Sequence, residues 1–280
     1  MRSLFKLSQV LGLLVLLTSC VDHNIENPVS QTSVKISPAQ EVLYNNSQAY
    51  GDAEVSYNKS THMLSFTVNW NNLSGMPTGA HIHGTGPRGV NAAIIFDFAN
   101  SITKTVSGTY SQSVLVDGTT LKEEDLLNGL YYFNFHTQNN PGGEMRGQIE
   151  FFDQSNVVSK KGVVLSGANE FPSNASTGNG TVDYSYNKTT KLFSYFLTWN
   201  NLSDIATGSH IHGPAPKGTN ASIVFDFFQK IQKTKSGSFS NSVLVDGTAI
   251  NEADLLGGKY YFNMHSAPFP AGEIRAQIEF

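Results

Sequence analysis

The chain has 280 residues, a formal net charge of −4 and a pI near 6.0. This length is typical of two domains of ordinary size. Because basic residues are not in excess, the composition argues against nucleic acid or an anionic lipid surface as an electrostatic partner. Only 14% of the residues are charged, which favours a folded extracytoplasmic protein with a neutral polar surface.

The N-terminus predicts a lipoprotein signal peptide over residues 1–19. Two basic residues precede the apolar run Val10–Leu17, which is too short to span a bilayer as a stable helix. The Thr-Ser-Cys that follows resembles the bacterial lipobox, and this resemblance implies cleavage before Cys20 and a lipid on its sulfur. Cys20 is the only cysteine, so the remaining chain has no disulfide and no cysteine-ligated metal. We expect a lipid-anchored protein of the bacterial cell envelope, on the outer membrane, with residues 20–33 as a flexible tether.

An internal repeat organises the rest of the chain. A shift of 129 positions aligns Ile36–Phe151 with Leu165–Phe280 without a gap, and the strings WNNLS, SVLVDGT and YYFN occur in both copies. Two long copies indicate a duplicated domain rather than a solenoid. The sequence therefore predicts domains at 34–152 and 163–280, joined by a polar linker at 153–162.

Each repeat reads as an all-β unit. Apolar and polar residues alternate from Leu64 to Trp70, and the second repeat preserves the alternation. The segments Ala93–Phe98 and Tyr131–His136 predict further strands, and glycine- and asparagine-rich connections separate them. Leu121–Asn128 has the character of a helical turn. This pattern favours a β-sandwich or a partly closed barrel.

Several motifs together resemble the CHRD domain, a family first described in chordin. They are ISPAQEV with its counterpart LSGANEFP, AHIHG with SHIHG, and YYFNFHTQNNPGGEMRGQI with YYFNMHSAPFPAGEIRAQI. The resemblance implies two tandem immunoglobulin-like β-sandwiches, distantly similar to copper/zinc superoxide dismutases. The stretch GAHIH is similar to the dismutase segment that supplies two copper ligands. The cysteines and the histidine-rich loop of the dismutases are absent from this chain.

A polar face follows from strand geometry. His81 and His83 are two residues apart on a predicted strand, so both side chains point to one face of the sheet. A hairpin formed by residues 131–136 and 144–149 would bring Asn134 opposite Arg146 and His136 opposite Glu144. The second repeat reproduces this set with His210, His212, Asn263, His265, Glu273, Arg275 and Gln277.

This face has three interpretations. Zn²⁺ or Cu²⁺ could be bound by the three histidines of each repeat with a glutamate as fourth ligand: His81, His83, His136 and Glu144, then His210, His212, His265 and Glu273. Alternatively, the histidines could form a structural hydrogen-bond network with the glutamates and with Asn134, Arg146, Asn263 and Arg275. The face could also contact an extracellular protein or glycan. The sequence favours the network, and the duplication does not discriminate because either arrangement would be copied.

No motif of the chain predicts a catalytic residue. We find no Ser/His/Asp arrangement, no phosphate-binding loop and no carboxylate pair suited to glycoside hydrolysis. Asp97 and Asp226 lie in otherwise apolar strands, where we expect each to pair with an arginine or a lysine. The sequence thus predicts a non-enzymatic binding or adhesion module at the cell envelope. The alternatives are a metal-binding protein or metal-dependent oxidoreductase that uses the HIH motifs, and a passive spacer.

Overall fold

The computed structural model describes residues 29–43, 45–152 and 155–280. The predicted signal peptide, Cys20 and residues 21–28 of the predicted tether lie outside the described residues. Within the described part, no helix is long and apolar enough to cross a membrane.

The first repeat is a sandwich of two antiparallel four-stranded sheets. One sheet has the order β1-β2-β3-β6, formed by Val29–Ile36, Tyr50–Asn58, Met63–Asn71 and Gly108–Leu115. The other has the order β5-β4-β7-β8, formed by Ile94–Asp97, Pro77–His83, Tyr131–Thr137 and Met145–Ile149. A 3-10 turn at Pro38–Gln40 and the short helix α1 at Glu123–Leu127 lie in the connections. The helical turn expected at 121–128 is thus confirmed.

The second repeat has the same topology. The counterparts of β1, β2, β3 and β6 are β9 (Val157–Ser166), β10 (Asn179–Asn187), β11 (Leu192–Asn200) and β14 (Gly237–Leu244). The facing strands are β13 (Ile223–Asp226), β12 (Ala206–His212), β15 (Tyr260–Ser266) and β16 (Phe269–Ile278). Helix α2 spans Glu252–Leu256, and 3-10 turns occur at Gly167–Asn169 and Phe228–Lys230. A single pair, Arg275 with Ser166, joins β16 to β9.

Each sandwich has its own apolar core. Trp70 is fully buried against Phe135, with ring centroids 5.4 Å apart, and its indole N–H donates to the carbonyl of Thr105 at 2.9 Å. Trp199 repeats this arrangement with the carbonyl of Thr234 at 3.1 Å. In the sheet that contains β4, β7 and β8, the aromatic and aliphatic side chains point into the core, and polar residues occupy the opposite face. Two all-β sandwiches, as predicted, therefore present the same polar face twice.

The first strand of each repeat is longer than the sequence indicated. β1 begins at Val29, inside the segment expected to be a tether, because Val29 pairs with Tyr57 of β2. β9 begins at Val157, inside the expected linker, because Val157 pairs with Asn187 of β10. The polar composition of these segments hid their strand character from the sequence.

Candidate metal centre

Adjacent strands bring together the three histidines of the first repeat. His81 and His83 lie on β4, and His136 lies on the neighbouring strand β7, where it pairs with Gly79. The ring centroids of His81 and His136 are 5.0 Å apart, and those of His83 and His136 are 5.7 Å apart. The strand geometry expected from the HIH spacing is thus present, and it adds a third imidazole from β7.

Gly79 provides the space that these rings occupy. A Cβ atom at this position would lie 2.5 Å from Cε1 of His81 and 3.1 Å from Cδ2 of His136. Gly208 has the same relation to His210 and His265, each about 2.9 Å away. The glycine that begins GAHIH and GSHIH therefore lets two imidazoles approach each other above the backbone.

Each ring is oriented through one of its two nitrogens. Nδ1 of His83 lies 2.9 Å from the carbonyl of Ala92, and Nδ1 of His136 lies 3.0 Å from the carbonyl of Pro141. A carbonyl only accepts, so each Nδ1 carries the hydrogen and a neutral ring has its lone pair on Nε2. His81 is turned the other way, with Nε2 at 3.7 Å from a carboxylate oxygen of Asp97.

The remaining nitrogens point into one shared space. Nδ1 of His81 and Nε2 of His83 and His136 are buried and have no hydrogen-bond partner within the described chain. The three histidines offer ligand atoms within 4.8 Å of one another. Two nitrogens bound to one ion at about 2.0–2.1 Å are at most about 4.2 Å apart, so small ring rotations suffice to close the group.

Electrostatics keep these imidazoles neutral. Burial, reinforced by the neighbouring His136, lowers the pKa of His81 to about 4. Burial also lowers the pKa of His83 and of His136, although a backbone hydrogen bond opposes the shift in both. Metal binding needs the unprotonated imidazole, so neutral rings near pH 7 are prepared to act as ligands.

In the second repeat, two of the inner ring nitrogens hydrogen-bond to each other. Nδ1 of His265 lies 3.0 Å from the carbonyl of Pro270 and must donate to it, so Nε2 holds a lone pair. That Nε2 is 3.1 Å from Nδ1 of His210, whose own Nε2 is 3.8 Å from Asp226. A neutral His210 has one proton for these two neighbours. With the proton on Nδ1, His210 donates to His265, and its Nε2 faces the exposed Asp226 carboxylate; a cation bound to both inner nitrogens would leave the proton on Nε2, towards Asp226.

His212 completes the second group. Its Nδ1 lies 2.9 Å from the carbonyl of Ala221, and its Nε2 is buried without a partner in the described residues. His210, His212 and His265 meet the same 4.8 Å limit as the first three. The two repeats therefore build the same group of ligand atoms, with the same backbone carbonyls and the same aspartate behind the rings.

A tyrosine separates this group from the arginine of the polar face. His83 stacks on Tyr132 at 5.0 Å between centroids, and the Arg146 guanidinium lies 3.5 Å from the centre of the same ring. Tyr132 is on β7, between the strand of His83 and the strand of Arg146. The cation is thereby engaged with an aromatic face rather than directed at the histidines.

Comparison with known proteins agrees with the repeat. The CHRD domain model matches residues 32–149 and again 162–278. The chain belongs to the CHRD family. No curated protein matches the chain. Both CHRD domains contain a complete three-histidine group, so the site is a property of each domain rather than of their junction.

The candidate fourth ligand of each CHRD domain lies elsewhere. Glu144 is fully buried and accepts hydrogen bonds from Ser47 Oγ at 2.5 Å, Ser74 N at 2.7 Å and Thr137 Oγ1 at 2.5 Å. Burial alone would raise its pKa, but these hydrogen bonds outweigh burial and lower it. Glu273 accepts hydrogen bonds from Ser176 and Ser203 through one of its two carboxylate oxygens. Within the described chain, neither glutamate joins a three-histidine group.

Asn134 and Arg146 hydrogen-bond to residues other than the histidines and Glu144. Asn134 pairs with Arg146 across β7 and β8, as the hairpin register predicted, and Asn263 pairs with Arg275. Arg146 donates to the carbonyls of Val90 and Pro87 at 2.8 and 2.9 Å. It also donates to Gln148 at 2.7 Å. The first CHRD domain thus uses its buried arginine to hold the loop that follows His83.

A buried glutamate that sequence reasoning missed completes this network. Glu41 accepts from Asn134 Nδ2 at 3.1 Å, and burial raises the pKa of Glu41 to about 8 despite the nearby Arg146. Glu170 receives the same amide contact from Asn263, and burial raises its pKa to about 7. Glu41 lies in the motif ISPAQEV, and Glu170 lies in its counterpart LSGANEFP. The two glutamates are 129 residues apart and therefore equivalent, and this equivalence is the sequence signal that could have identified them.

The expectation for Asp97 and Asp226 was wrong. Neither pairs with an arginine or lysine of the described residues. Each faces a histidine and accepts a backbone N–H two residues ahead, from Ala99 at 2.8 Å and Phe228 at 2.9 Å. The reason is register: His81 pairs with Asp97 on β5, and His210 pairs with Asp226 on β13. These aspartates therefore belong to the candidate site.

Proposed function

We propose that this protein is a lipid-anchored envelope module that binds one divalent transition-metal ion in each of its two CHRD domains. In the first domain the ligands are His81 Nδ1, His83 Nε2 and His136 Nε2. The observation that carries the proposal is the convergence of three buried ring nitrogens without partners. The anchor at Cys20 rests on the lipobox resemblance of the N-terminus.

The surroundings of the rings support a metal over a purely structural role. In a structural network, every buried polar atom finds a partner, as those around Glu144 do. In the first domain, His83 and His136 hydrogen-bond through their outer nitrogens to backbone carbonyls, and Nε2 of His81 lies 3.7 Å from Asp97, while the three inner nitrogens have no partner in the described chain. This is the usual arrangement behind metal-bound imidazoles, where the outer partner fixes the tautomer and raises ligand basicity.

The donor set favours a class of ion. Three neutral imidazoles suit Zn²⁺ and Cu²⁺, and the Irving–Williams order makes Cu²⁺ the tighter binder at a given site. Three protein ligands leave a further coordination position for water or an exogenous ligand. The hydrogen-bonded glutamates are not needed for binding, so the polar face divides into a metal-binding part and a structural part.

Metal stoichiometry tests the proposal. The chain without residues 1–20 is dialysed against Zn²⁺ or Cu²⁺, and bound metal is measured by elemental analysis. We expect two ions per chain, one for His83→Ala and none for His83→Ala/His212→Ala. His62→Ala is the matched control, since this exposed histidine contacts Tyr57 at 3.1 Å, outside the three-histidine group; it should keep two ions.

Far-UV circular dichroism confirms that each variant is folded before its metal content is compared. A folded wild-type chain that binds no metal would contradict the proposal, and so would a folded double variant that still binds two ions. If only one domain bound metal, the equivalence of the two groups would be wrong.

A further inference from the structure

The two CHRD domains contact each other head to tail within the chain. Arg88, in the loop between β4 and β5, donates to Ser240 Oγ on β14 at 2.7 Å. The same guanidinium forms a two-pronged ion pair with Glu150, at 3.0 and 2.8 Å, which fixes its direction. Gly89 lies so close that an added Cβ would be 2.0 Å from the Asn241 side-chain oxygen. The loop of the first domain thus docks on the β10-β11-β14 face of the second.

A cavity of about 260 Å³ marks this junction. The first domain contributes the loop arginine together with Val34, Gln40, Gln148 and Glu150. The second domain contributes polar and aromatic residues of β10 and β11: Asp183, Ser185, Ser194, Tyr195 and Phe196. The two domains therefore meet through unlike surfaces, which we name the loop surface (Pro87, Arg88, Gly89) and the strand surface (Asp183, Ser185, Ser194, Ser240, Asn241).

Because the domain is duplicated, each surface occurs a second time, and in the single chain the second copy is open. The loop surface recurs as Pro216, Lys217 and Gly218, where Lys217 and Gly218 are exposed and an added Cβ on Gly218 would meet nothing within 4 Å. Around it, a groove of about 210 Å³ repeats the lining of the junction with Val163, Asn169, Lys217, Gln277 and Glu279.

The strand surface recurs on the first domain. Glu54, Ser56, Ser65, Ser111 and Gln112 are the counterparts of Asp183, Ser185, Ser194, Ser240 and Asn241, and they line an open groove of about 520 Å³. Ser240 is 1% exposed at the junction, whereas its counterpart Ser111 is exposed. Chemistry is retained at every position: a carboxylate, three serines and a side-chain amide.

We propose that a second copy of this chain occupies these open surfaces, with the loop surface around Lys217 of one chain docked on the strand surface around Ser111 of the next. Lys217 takes the place of Arg88, facing Ser111 and the carboxylate of Glu54. A contact between unlike surfaces either closes into a ring of chains or continues into longer assemblies, depending on the rotation between successive domains. This assembly is independent of metal binding.

Cross-linking between single-cysteine chains tests the pairing. The chain without residues 1–20 contains no cysteine, so Lys217→Cys and Ser111→Cys each introduce one site. Differently tagged variants are mixed and treated with a short bismaleimide. We expect a mixed dimer of the two variants, well above the yield from Lys230→Cys mixed with Ser111→Cys, which is the matched control on another exposed lysine of the second domain.

Two results of the cross-linking experiment would overturn the proposal. One is a mixed-dimer yield no higher than that of the control; the other is a predominance of Lys217→Cys homodimers, which would indicate a symmetric contact. Sedimentation velocity adds an independent measurement. The average mass of the wild-type chain should rise with concentration, and Lys217→Glu should remain monomeric because its carboxylate would face Glu54. A wild-type chain that stays monomeric at high concentration would contradict the assembly.

Discussion

At the scale of single residues, the histidines and the glutamate of the first domain's polar face differ in how their polar atoms are satisfied. Glu144 accepts hydrogen bonds at both carboxylate oxygens, whereas Nε2 of His83 and His136 and Nδ1 of His81 have no partner in the described chain. Since unpaired buried polar groups cost free energy, the second arrangement is expected where a ligand supplies the missing partner. Residues of one face thus take different roles.

Asp97 should act by orienting His81. Asp97→Asn removes the charge near Nε2 of His81 and with it the preference for the tautomer that leaves Nδ1 free. We expect metal affinity of the first domain to fall by roughly 10- to 100-fold. Competition against a chromophoric chelator measures the change, with His212→Ala in the background to silence the second site. Asp52→Asn, an exposed aspartate on β2 bonded to Asn69 at 2.7 Å, is the control and should leave affinity unchanged.

Glu41 should make the free energy of unfolding depend on pH. Its pKa rises from 4.5 unfolded to about 8 folded, so the folded state holds the proton more tightly. The stability linked to this proton is complete below about pH 4.5 and is lost as the pH rises through about 8. Glu41→Gln should therefore flatten the decline in unfolding free energy over that range.

Urea denaturation across this pH range, with a chelator present, measures the effect on Glu41→Gln. Glu54→Gln, on the exposed part of β2, serves as the control and should follow the wild-type curve. Equal slopes for wild type and Glu41→Gln would show that Glu41 is not protonated in the folded protein.

At the scale of elements, the sheet β5-β4-β7-β8 determines the site. Sequence alternation predicted that His81 and His83 share a face and that Asn134 opposes Arg146, because both follow from the two-residue period of a strand. It did not predict the partners of Glu144, since Ser47 and Ser74 precede it by 97 and 70 residues and belong to irregular connections. Long-range contacts of loops leave no periodic signal in the sequence.

Glu144 should anchor those connections without contributing to metal binding. Glu144→Gln replaces an acceptor with an amide donor that faces Ser47 and Ser74. We expect the first domain to lose about 1–3 kcal/mol of unfolding free energy, the usual cost of leaving a buried polar group unpaired. The folded variant should still bind two ions. Wild-type stability would contradict the anchoring role, and a folded variant that binds only one ion would indicate that Glu144 is a ligand.

At the scale of the whole molecule, the sequence predicted the duplication and the all-β class, because an ungapped repeat and strand alternation are both visible in one chain. The junction between the domains was not predictable from the repeat. It depends on Arg88, and the repeat alone does not say which of two equivalent loops docks on which of two equivalent sheets.

Arg88 should hold the two domains together. Arg88→Glu removes the ion pair with Glu150 and places a carboxylate near Asp183 of the facing sheet. We expect the radius of gyration of the dilute monomer, measured by small-angle X-ray scattering, to increase as the domains separate. Lys217→Glu changes the equivalent loop of the second domain and should leave the radius unchanged. An unchanged radius for Arg88→Glu would mean that other contacts determine the arrangement.

The central claim is that three named nitrogens in each domain bind one ion, and an anomalous difference map of crystals grown with Zn²⁺ tests it most directly. We predict two peaks per chain, the first at about 2.0–2.1 Å from His81 Nδ1, His83 Nε2 and His136 Nε2, and the second at the same distances from the matching atoms of His210, His212 and His265. Peaks at Glu144 or Glu273, or no peak at the histidines of either domain, would contradict the account.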